Sequence, residues 1–302
     1  MDILVSDGIT SEGAKILTDA GHKVDKLKLT PEELLKKIGD YDCIIVRSAT
    51  KVTREVIEAG KRLKVIGRGG VGLDNIDVPF AQSKGIKVLN TPAAASVSVA
   101  ELALAHMFAV SRFIHVSSME MRQGKWPKKE YGEGKELFKK KLGILGFGNI
   151  GKEVGRRGQA LGMQVMAYDP IVSAADFPVE MTTKEKILAE ADFITLHLPL
   201  NKKEGPVIGK KEFEMMKNGV VIINCARGGV VDEAALLDAL NSGKVAAAGI
   251  DVFVNEPTTD AQKDLINHPH VSVTPHIGAS TVEGQERVGA EIATRVVKAF
   301  GA

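Results

Sequence analysis

The fold is decided by the stretch KLGILGFGNIG, residues 141–151. An apolar run is followed at once by Gly146, Gly148 and Gly151, and by the start of a helical pattern that continues through Val154. Gly146 permits a tight turn, Gly148 lets a ligand approach the backbone, and Gly151 allows the helix to pack closely against the strand. A strand, a glycine-rich turn and a helix in this order predict the first unit of a doubly wound parallel sheet.

An acidic residue after the next predicted strand supports this interpretation. Asp169 follows the strand at residues 165–168, roughly 20 residues beyond the glycines, which is the spacing that dinucleotide-binding sheets have. A helix N-terminus attracts a pyrophosphate, while a carboxylate in this position accepts hydrogen bonds from ribose hydroxyls and repels a 2′-phosphate. The motif therefore predicts a site for NAD rather than NADP. An alternative stays open, in which the glycines only form a turn and Asp169 only ends a strand.

Outward from this unit, short apolar runs rich in β-branched residues alternate with helical patterns along the chain. The predicted strands are residues 3–5, 43–46, 65–66 and 88–89, and then residues 143–145, 165–168, 193–196, 220–223, 249–252 and 271–273. This alternation predicts an α/β fold with a small parallel sheet followed by a larger one. Between them, residues 99–114 have apolar side chains at helical spacing, which predicts a long helix that connects the two domains.

Composition excludes several classes of function. The 302 residues carry a net charge of only +2, from 40 basic and 38 acidic residues, so the basic excess of a nucleic-acid-binding protein is missing. The length favours two domains, and the mean hydropathy of zero is typical of globular proteins. Cys43 and Cys225 lie in apolar runs, where reduced thiols pack as small hydrophobic groups. With no basic, apolar leader at the N-terminus, we expect a cytoplasmic protein without a membrane span.

Polar residues with complementary chemistry follow predicted strands in the second half of the chain: Arg227, Glu256 and His276. The carboxyl ends of strands in an open α/β sheet line its ligand crevice. The guanidinium of Arg227 can hold a carboxylate and polarise a neighbouring carbonyl, and the imidazole of His276 can exchange a proton near neutral pH. The Glu256 carboxylate could fix the imidazole tautomer and raise its pKa. Together they predict hydride transfer at C2 of a small, anionic 2-hydroxy or 2-oxo acid.

Several longer stretches carry a resemblance to a known family. They are VRSAT at 46–50, GGVGLDN at 69–75, the glycine motif at 141–151, NCARGG at 224–229 and PHIGAST at 275–281. Through them, nearly the whole chain resembles the D-isomer-specific 2-hydroxyacid dehydrogenases. The resemblance implies two open parallel-sheet domains, a Rossmann-type NAD domain at residues 96–274 inserted in a flavodoxin-like substrate-binding domain at residues 1–95 and 275–302. It also implies a homodimer formed through the helix that begins near Ser96, which otherwise lacks a partner for its apolar face.

The resemblance also implies roles for individual residues. It makes Arg227, Glu256 and His276 the catalytic trio. The residues expected to bind the cofactor are Gly146, Gly148, Asn149, Ile150, Gly151, Asp169, His197, Pro199, Cys225, Ala226, Asp251, Gly278 and Ala279. The residues expected to bind the substrate are Arg47, Ser48, Gly70, Val71, Gly72 and Asn75. Because the chain ends at Ala302, we expect a short form of the family without a C-terminal regulatory domain.

Arg47 and Ser48 suggest the far end of the substrate. They follow the predicted strand at residues 43–46, and an arginine beside a hydroxyl and backbone amides suits a phosphate. A three-carbon 2-hydroxy acid phosphorylated at C3 would fit. Two alternatives stay open: a reductase of an unphosphorylated acid such as glyoxylate or hydroxypyruvate, with Arg47 in a surface ion pair, or an NAD-sensing corepressor-like protein that binds partners without turnover.

Two other groups of residues suggest chemistry that we do not expect. His268, His270 and His276 are close in sequence, but Pro269 and the strand at residues 271–273 should aim them apart, so no metal site is predicted. Cys225 next to the predicted catalytic residues lacks a local base that would make it a nucleophile.

Overall fold

The computed structural model describes residues 1–201 and 203–301. These residues divide into two compact units, one formed by residues 1–95 and 279–301 and the other by residues 96–278. The chain therefore returns to the first unit after residue 278 rather than at residue 275, because the backbone N–H groups of His276 and Gly278 donate hydrogen bonds to Asp251 of the second unit. Ala302, the end of the predicted last segment, lies outside the described residues. The assignment of one unit to substrate and the other to NAD stays a prediction.

The described residues of the first unit form a five-stranded parallel sheet in the order β2-β1-β3-β4-β5. Its strands are β1 (Asp2–Val5), β2 (Lys23–Lys26), β3 (Cys43–Val46), β4 (Val65–Arg68) and β5 (Lys87–Asn90). Its first helices are α1 (Ser11–Asp19), α2 (Pro31–Lys37), α3 (Arg54–Ala59) and α4 (Val78–Ser83). The central strand β3 is buried throughout, and the strand order is that of flavodoxin-like sheets, whose ligand crevice lies between β1 and β3.

The described residues of the second unit form a seven-stranded parallel sheet in the order β12-β11-β10-β9-β6-β7-β8. Its helices are α5 (Ser96–Ser111), α6 (Ile114–Arg122), α7 (Asn149–Ala160), α8 (Lys184–Glu190), α9 (Lys210–Met215), α10 (Glu233–Asn241) and α11 (Lys263–Ile266). Its strands are β6 (Lys141–Leu145), β7 (Gln164–Tyr168), β8 (Glu180–Met181), β9 (Phe193–Leu196), β10 (Val220–Asn224), β11 (Val245–Ile250) and β12 (Val271–Val273). The last helix, α12 (Val282–Ala299), belongs to the first unit. The predicted α/β class with two parallel sheets is confirmed.

The predicted long helix is two helices. Phe113 adopts a left-handed backbone with φ of 55°, which separates α5 from α6. The apolar face of α5 is buried against α7, β10 and β11 of its own unit, so the prediction that this face lacks a partner was wrong. No single helix in the described part of the chain is long and apolar enough to span a membrane. Only α5 and α6 taken together pass that test, by length and composition, and they are bent by 66°.

The sheet edges and β11 also differ from the sequence prediction. The unpredicted strands β2 and β8 lie at sheet edges and are only partly buried, so they lack the apolar run that marks a central strand. The strand predicted at residues 249–252 is β11, which spans Val245–Ile250. Its first half was not predicted because it consists mainly of small alanines rather than β-branched residues. A Cβ on Gly249 would come within 2.5 Å of the His106 Cβ on α5, so close packing of the helix requires small residues there.

Candidate active site

The glycine-rich turn joins β6 to α7 at the point where strand order reverses in the larger sheet. Gly146 has a φ of 92°, and a Cβ there would come within 2.5 Å of the carbonyl oxygen of His197 on the loop after β9. A Cβ on Gly151 would overlap the carbonyl oxygen of Gly146. No described atom lies within 4 Å of a Cβ built on Gly148, the N-cap of α7. This leaves a bare, open backbone at the helix N-terminus, which fits a pyrophosphate.

Asp169 lies directly after β7, beside this turn. Its carboxylate accepts hydrogen bonds from the backbone N–H groups of Phe147 at 2.8 Å, Ile171 at 2.9 Å and Val172 at 3.0 Å. Burial alone would raise the pKa of Asp169, but these N–H groups together outweigh it, so the pKa lies below its usual value. The group therefore stays charged at neutral pH, and Oδ2, which among the described residues accepts only the N–H of Phe147, can also accept a ribose hydroxyl.

The other residues predicted around the cofactor follow β9 and β10 or begin α7. Asn149 and Ile150 form the first turn of α7, Cys225 and Ala226 are buried after β10, and Pro199 is exposed.

His197 has an unusual environment after β9. Its Nε2 lies 2.9 Å from the hydroxyl of Thr195, whereas its buried Nδ1 has no partner among the described residues. Burial lowers the pKa of His197 to about 3, so this ring is neutral. An unsatisfied buried nitrogen next to the glycine turn fits a site that a bound cofactor completes.

Glu256 and His276 meet in the structure. Each follows one of the neighbouring strands β11 and β12, and Nδ1 of His276 lies 2.7 Å from Oε2 of Glu256. The other oxygen of Glu256 accepts the backbone N–H of Phe253 at 3.0 Å, which holds the carboxylate in place. The His276 side chain is 46% exposed, so its ring is accessible to a reactant.

This pair has shifted proton affinities. The hydrogen bond that Nδ1 of His276 donates to Glu256 raises the pKa of His276, although burial and the charge of Arg227 both lower it. Burial alone would raise the pKa of Glu256. The pKa is nevertheless lowered, because His276 and the Phe253 N–H both stabilise the charged carboxylate. With Nδ1 occupied by a carboxylate, Nε2 is the ring nitrogen that can exchange a proton with another molecule.

Arg227 lies on the turn after β10, the neighbour of β11. The amide of Asn224 holds this turn, accepting the N–H of Ala226 and donating to the Arg227 carbonyl, each at 3.1 Å. A Cβ on Gly228 would overlap the backbone of Phe253, so only glycine lets this turn approach the loop that carries Glu256. Asn224 and Gly228 were not predicted as functional residues, although both lie in the NCARGG stretch. Carboxyl ends of three adjacent strands thus carry a cation, a carboxylate and an imidazole.

The turn that carries His276 is fastened to Asp251. His276 has a φ of 55°, in the left-handed region that is unfavourable for a side chain with a Cβ. Its N–H donates to the Asp251 carbonyl at 2.8 Å, while the Asp251 carboxylate accepts the N–H groups of Ile277 at 2.8 Å and Gly278 at 2.9 Å. Asp251, predicted to line the cofactor pocket, therefore also anchors the histidine.

The residues predicted to bind the substrate lie in the first unit, as does Ala279, which was predicted with the cofactor. Arg47 follows β3, and the carboxylate of Asp7 holds its loop by accepting the N–H groups of Arg47 at 2.7 Å and Thr50 at 3.0 Å. The side-chain amide of Asn75 donates to the backbone carbonyls of Arg47 and Thr50, so Asn75 also holds this loop in place.

Ser48 and the glycine loop after β4 lie near the same sheet edge. Ser48 and Val71 are exposed, and Gly70 has a φ of 142°. A Cβ on Gly70 would overlap the guanidinium of Arg68, a residue that was not predicted to bind the substrate. Arg68 ends β4 in register with Val46 of β3, so its backbone lies beside the start of the Arg47 loop. Gly72 belongs to the same partly buried loop.

The other histidines and cysteines do not form a metal site among the described residues. The rings of His268 and His270 lie 5.5 Å apart between centroids, whereas His276 bonds to Glu256. Burial raises the pKa of the Cys225 thiol well above its usual value, which disfavours a nucleophilic thiolate.

Comparison with known proteins identifies the family. Residues 104–278, more than half of the chain, match the family model described as "D-isomer specific 2-hydroxyacid dehydrogenase, NAD binding domain". Over 299 residues the chain is 48% identical to a hydroxypyruvate reductase of Thermotoga maritima, covering 98% of this chain and 97% of that protein. It is 45% identical to a D-3-phosphoglycerate dehydrogenase of Methanocaldococcus jannaschii, covering 98% of this chain but only 57% of that protein.

Solved structures agree with this relationship. The D-lactate dehydrogenase of Aquifex aeolicus, solved with NAD and lactic acid, has a TM-score of 0.82 and 32% identity, with 99% of this chain and 95% of that chain covered. The chain therefore belongs to the D-isomer-specific 2-hydroxyacid dehydrogenases, a family of NAD-dependent enzymes.

Proposed function

We propose that Arg227, Glu256 and His276 catalyse the interconversion of a D-2-hydroxy acid and its 2-oxo acid. The observation that carries this proposal is the 2.7 Å contact between Nδ1 of His276 and Oε2 of Glu256. Bound at this site, NAD would accept the hydride from C2 in oxidation, and NADH would supply it in reduction. In reduction, protonated His276 gives the proton of Nε2 to the developing alkoxide, and in oxidation the neutral ring removes it. Glu256 stabilises the imidazolium, and Arg227 orients the substrate carboxylate and polarises the C2 carbonyl.

We propose D-3-phosphoglycerate and 3-phosphohydroxypyruvate as the substrate pair, which would make this the first reaction of serine biosynthesis. The proposal of an anionic group is supported by two arginines at this edge of the first unit: Arg47 after β3, and Arg68 at the end of the neighbouring strand β4. So does the similarity to phosphoglycerate dehydrogenases, although the chain spans just over half of the length of the relative from M. jannaschii. A second candidate is hydroxypyruvate reduction, which is favoured by the near-complete match to the Thermotoga protein over both lengths.

Steady-state oxidation of NADH distinguishes these candidates. We expect kcat/KM to be higher for 3-phosphohydroxypyruvate than for hydroxypyruvate and glyoxylate. Its phosphate would form an ion pair with Arg47, which adds to the binding energy of the substrate. A preference for hydroxypyruvate would reject the phosphorylated substrate and support the second candidate.

Replacing Glu256 with glutamine should shift the pH profile. Without the carboxylate, the pKa of His276 falls from its raised value. Reduction needs the protonated ring, so its loss of rate with rising pH should begin at lower pH in Glu256→Gln. Oxidation needs the neutral ring, and its gain of rate with rising pH should also move to lower pH. The control is Glu214→Gln, an exposed glutamate on α9. If both variants keep the wild-type profile, Glu256 does not set the proton affinity of His276.

Replacing Asp169 with alanine should reduce the preference for NAD. The carboxylate is proposed to bind the ribose hydroxyls and to repel a 2′-phosphate, so its loss weakens NAD binding and relieves the repulsion of NADP. The measurement is kcat/KM for both cofactors in wild type and variant. Because Asp169 also holds Phe147, Ile171 and Val172, thermal unfolding must show that the variant is folded. An unchanged ratio of the two cofactors in a folded variant would remove this role from Asp169.

We propose that the chain forms a homodimer in solution. The support comes from α6 and the segment after it, where Ile114, Met119, Met121 and Trp126 are 47 to 76% exposed, and from the family resemblance. We expect sedimentation equilibrium to give twice the chain mass of 32.3 kDa, and Met119→Glu to weaken this association. A wild-type monomer at micromolar concentration would contradict the proposal.

A further inference from the structure

A buried histidine on α5 is not used by the proposed chemistry. His106 is only 2% exposed, and both ring nitrogens have hydroxyl partners on the strand and turn that lead to His276. Nδ1 lies 3.0 Å from the Oγ of Ser272, and Nε2 lies 3.0 Å from the Oγ1 of Thr274. Gly249 of β11 leaves the space that this ring occupies, because a Cβ there would press on the imidazole.

The hydrogen bond between Thr274 and Asp251 fixes the direction of the two hydrogen bonds that His106 makes. The Thr274 hydroxyl donates its one hydrogen to Oδ1 of Asp251 at 2.6 Å, so toward His106 it can only accept. Nε2 of His106 therefore carries a proton. Desolvation lowers the pKa of His106 to about 4 despite the favourable charge of Asp251, so the ring is neutral and Nδ1 accepts from Ser272.

This relay ends on the residue that anchors the catalytic turn. Thr274 orients the Asp251 carboxylate. This carboxylate accepts the backbone N–H groups of Ile277 and Gly278, the two residues that follow His276. His276 needs such restraint because its φ of 55° is unfavourable for a residue with a Cβ. The titratable or charged groups that act on His276 are Glu256, Asp251 and Arg227, and those that act on His106 are Asp251 and His115.

We propose that His106 is a positioning residue for the acid/base pair: its neutral imidazole holds the Thr274 hydroxyl on Asp251, and Asp251 holds the turn that presents His276 to Glu256. The proposal rests on the proposed function of His276. It makes α5 part of the catalytic support, in addition to its role in packing.

The kinetic test replaces His106 with leucine and with glutamine. Leucine removes the relay, whereas glutamine can still donate to Thr274 and accept from Ser272. His106→Leu should lower kcat for 2-oxo acid reduction by about tenfold, the value of one hydrogen bond, and shift the His276 limb of the pH profile to lower pH. His106→Gln should restore most of the rate and the profile. The control His115→Gln, a histidine on α6 bonded to backbone carbonyls, should stay within about twofold of wild type.

A purely structural role predicts a different result. In that case His106→Leu loses thermal stability but keeps the wild-type kcat and pH profile, which would overturn the proposal. If the leucine variant does not fold, Thr274→Val breaks the same relay at its other end and should give the same shift. In a folded series, the combination of His106→Leu and Thr274→Val should be no worse than the more damaging single variant. Additive losses would show that His106 does not act through Thr274.

A spectroscopic measurement separates this proposal from the proposed function. ¹⁵N NMR of the histidine rings should show His106 as a neutral ring protonated at Nε2 throughout the neutral pH range. A ring protonated at Nδ1, or one that titrates near neutrality, would overturn the relay whether or not the protein turns over a 2-oxo acid. An enzyme inactive with every 2-oxo acid would instead reject the proposed function.

Discussion

Replacing His276 with alanine is expected to lower kcat in both directions by roughly 10²- to 10⁴-fold, the usual contribution of a positioned acid/base group. Glu256 holds the imidazole of His276 and raises its pKa, so this ring is the group that gives and takes the proton of the reaction. Binding of NADH should change little, because the side chain acts on the substrate oxygen. The measurement combines steady-state kcat with a fluorescence titration of NADH.

The matched control for this variant is His270→Ala. His270 is an exposed histidine on the segment before β12, with its ring beside that of His268. Wild-type kcat in the control and a large loss in His276→Ala would assign the proton transfer to one histidine. A His276→Ala enzyme with kcat within about twofold of wild type, inside the range of a surface substitution, would remove His276 from the mechanism.

Replacing Arg47 with alanine is expected to cost roughly 2 to 5 kcal/mol in kcat/KM for 3-phosphohydroxypyruvate, as when one partner of a buried charge pair is truncated. The loss for unphosphorylated hydroxypyruvate should be much smaller, since that molecule lacks the group that Arg47 is proposed to bind. The comparison between the two substrates cancels any general damage to folding or to the catalytic residues.

Lys51 provides the control for Arg47, because it is an exposed cation on the same segment. Lys51→Ala should leave the ratio of kcat/KM for the two substrates unchanged, as expected for an exposed charge. Equal losses on both substrates in Arg47→Ala would reject the phosphate assignment. The unphosphorylated 2-oxo acid would then be the better candidate substrate.

The central strands, and the polar residues at their carboxyl ends, could be predicted from the sequence. β3, β9 and β12 have the predicted bounds. β3 shows why: it is a buried, continuous apolar run, as expected for a central parallel strand. Glu256 and His276 could be placed near each other because carboxyl ends of adjacent parallel strands share one sheet edge. Their 2.7 Å contact, in contrast, depends on loop conformations such as the left-handed backbone of His276, which no local pattern specifies.

Supporting residues were harder to find, since their roles come from tertiary contacts. Asn224 and Gly228 lie in the NCARGG stretch, but their functions appear only when the turn after β10 is packed against Phe253. No sequence signal marks His106, which lies within an apolar helical pattern, because its partners Ser272 and Thr274 lie far away in sequence. The partners of the apolar face of α5 were missed for the same reason: the elements that cover it come later in the chain.

The central claim is that this protein oxidises a D-2-hydroxy acid with NAD through the Glu256–His276 pair. The most direct measurement mixes the purified protein with NAD and with the separate D- and L-isomers of 3-phosphoglycerate and of glycerate, and follows NADH fluorescence together with the 2-oxo acid formed. We predict NADH with D-isomers alone, in equal amounts with the 2-oxo acid, from wild type and not from His276→Ala. Binding of NAD without NADH formation from either D-isomer would contradict this claim and would favour a nucleotide-binding protein without turnover.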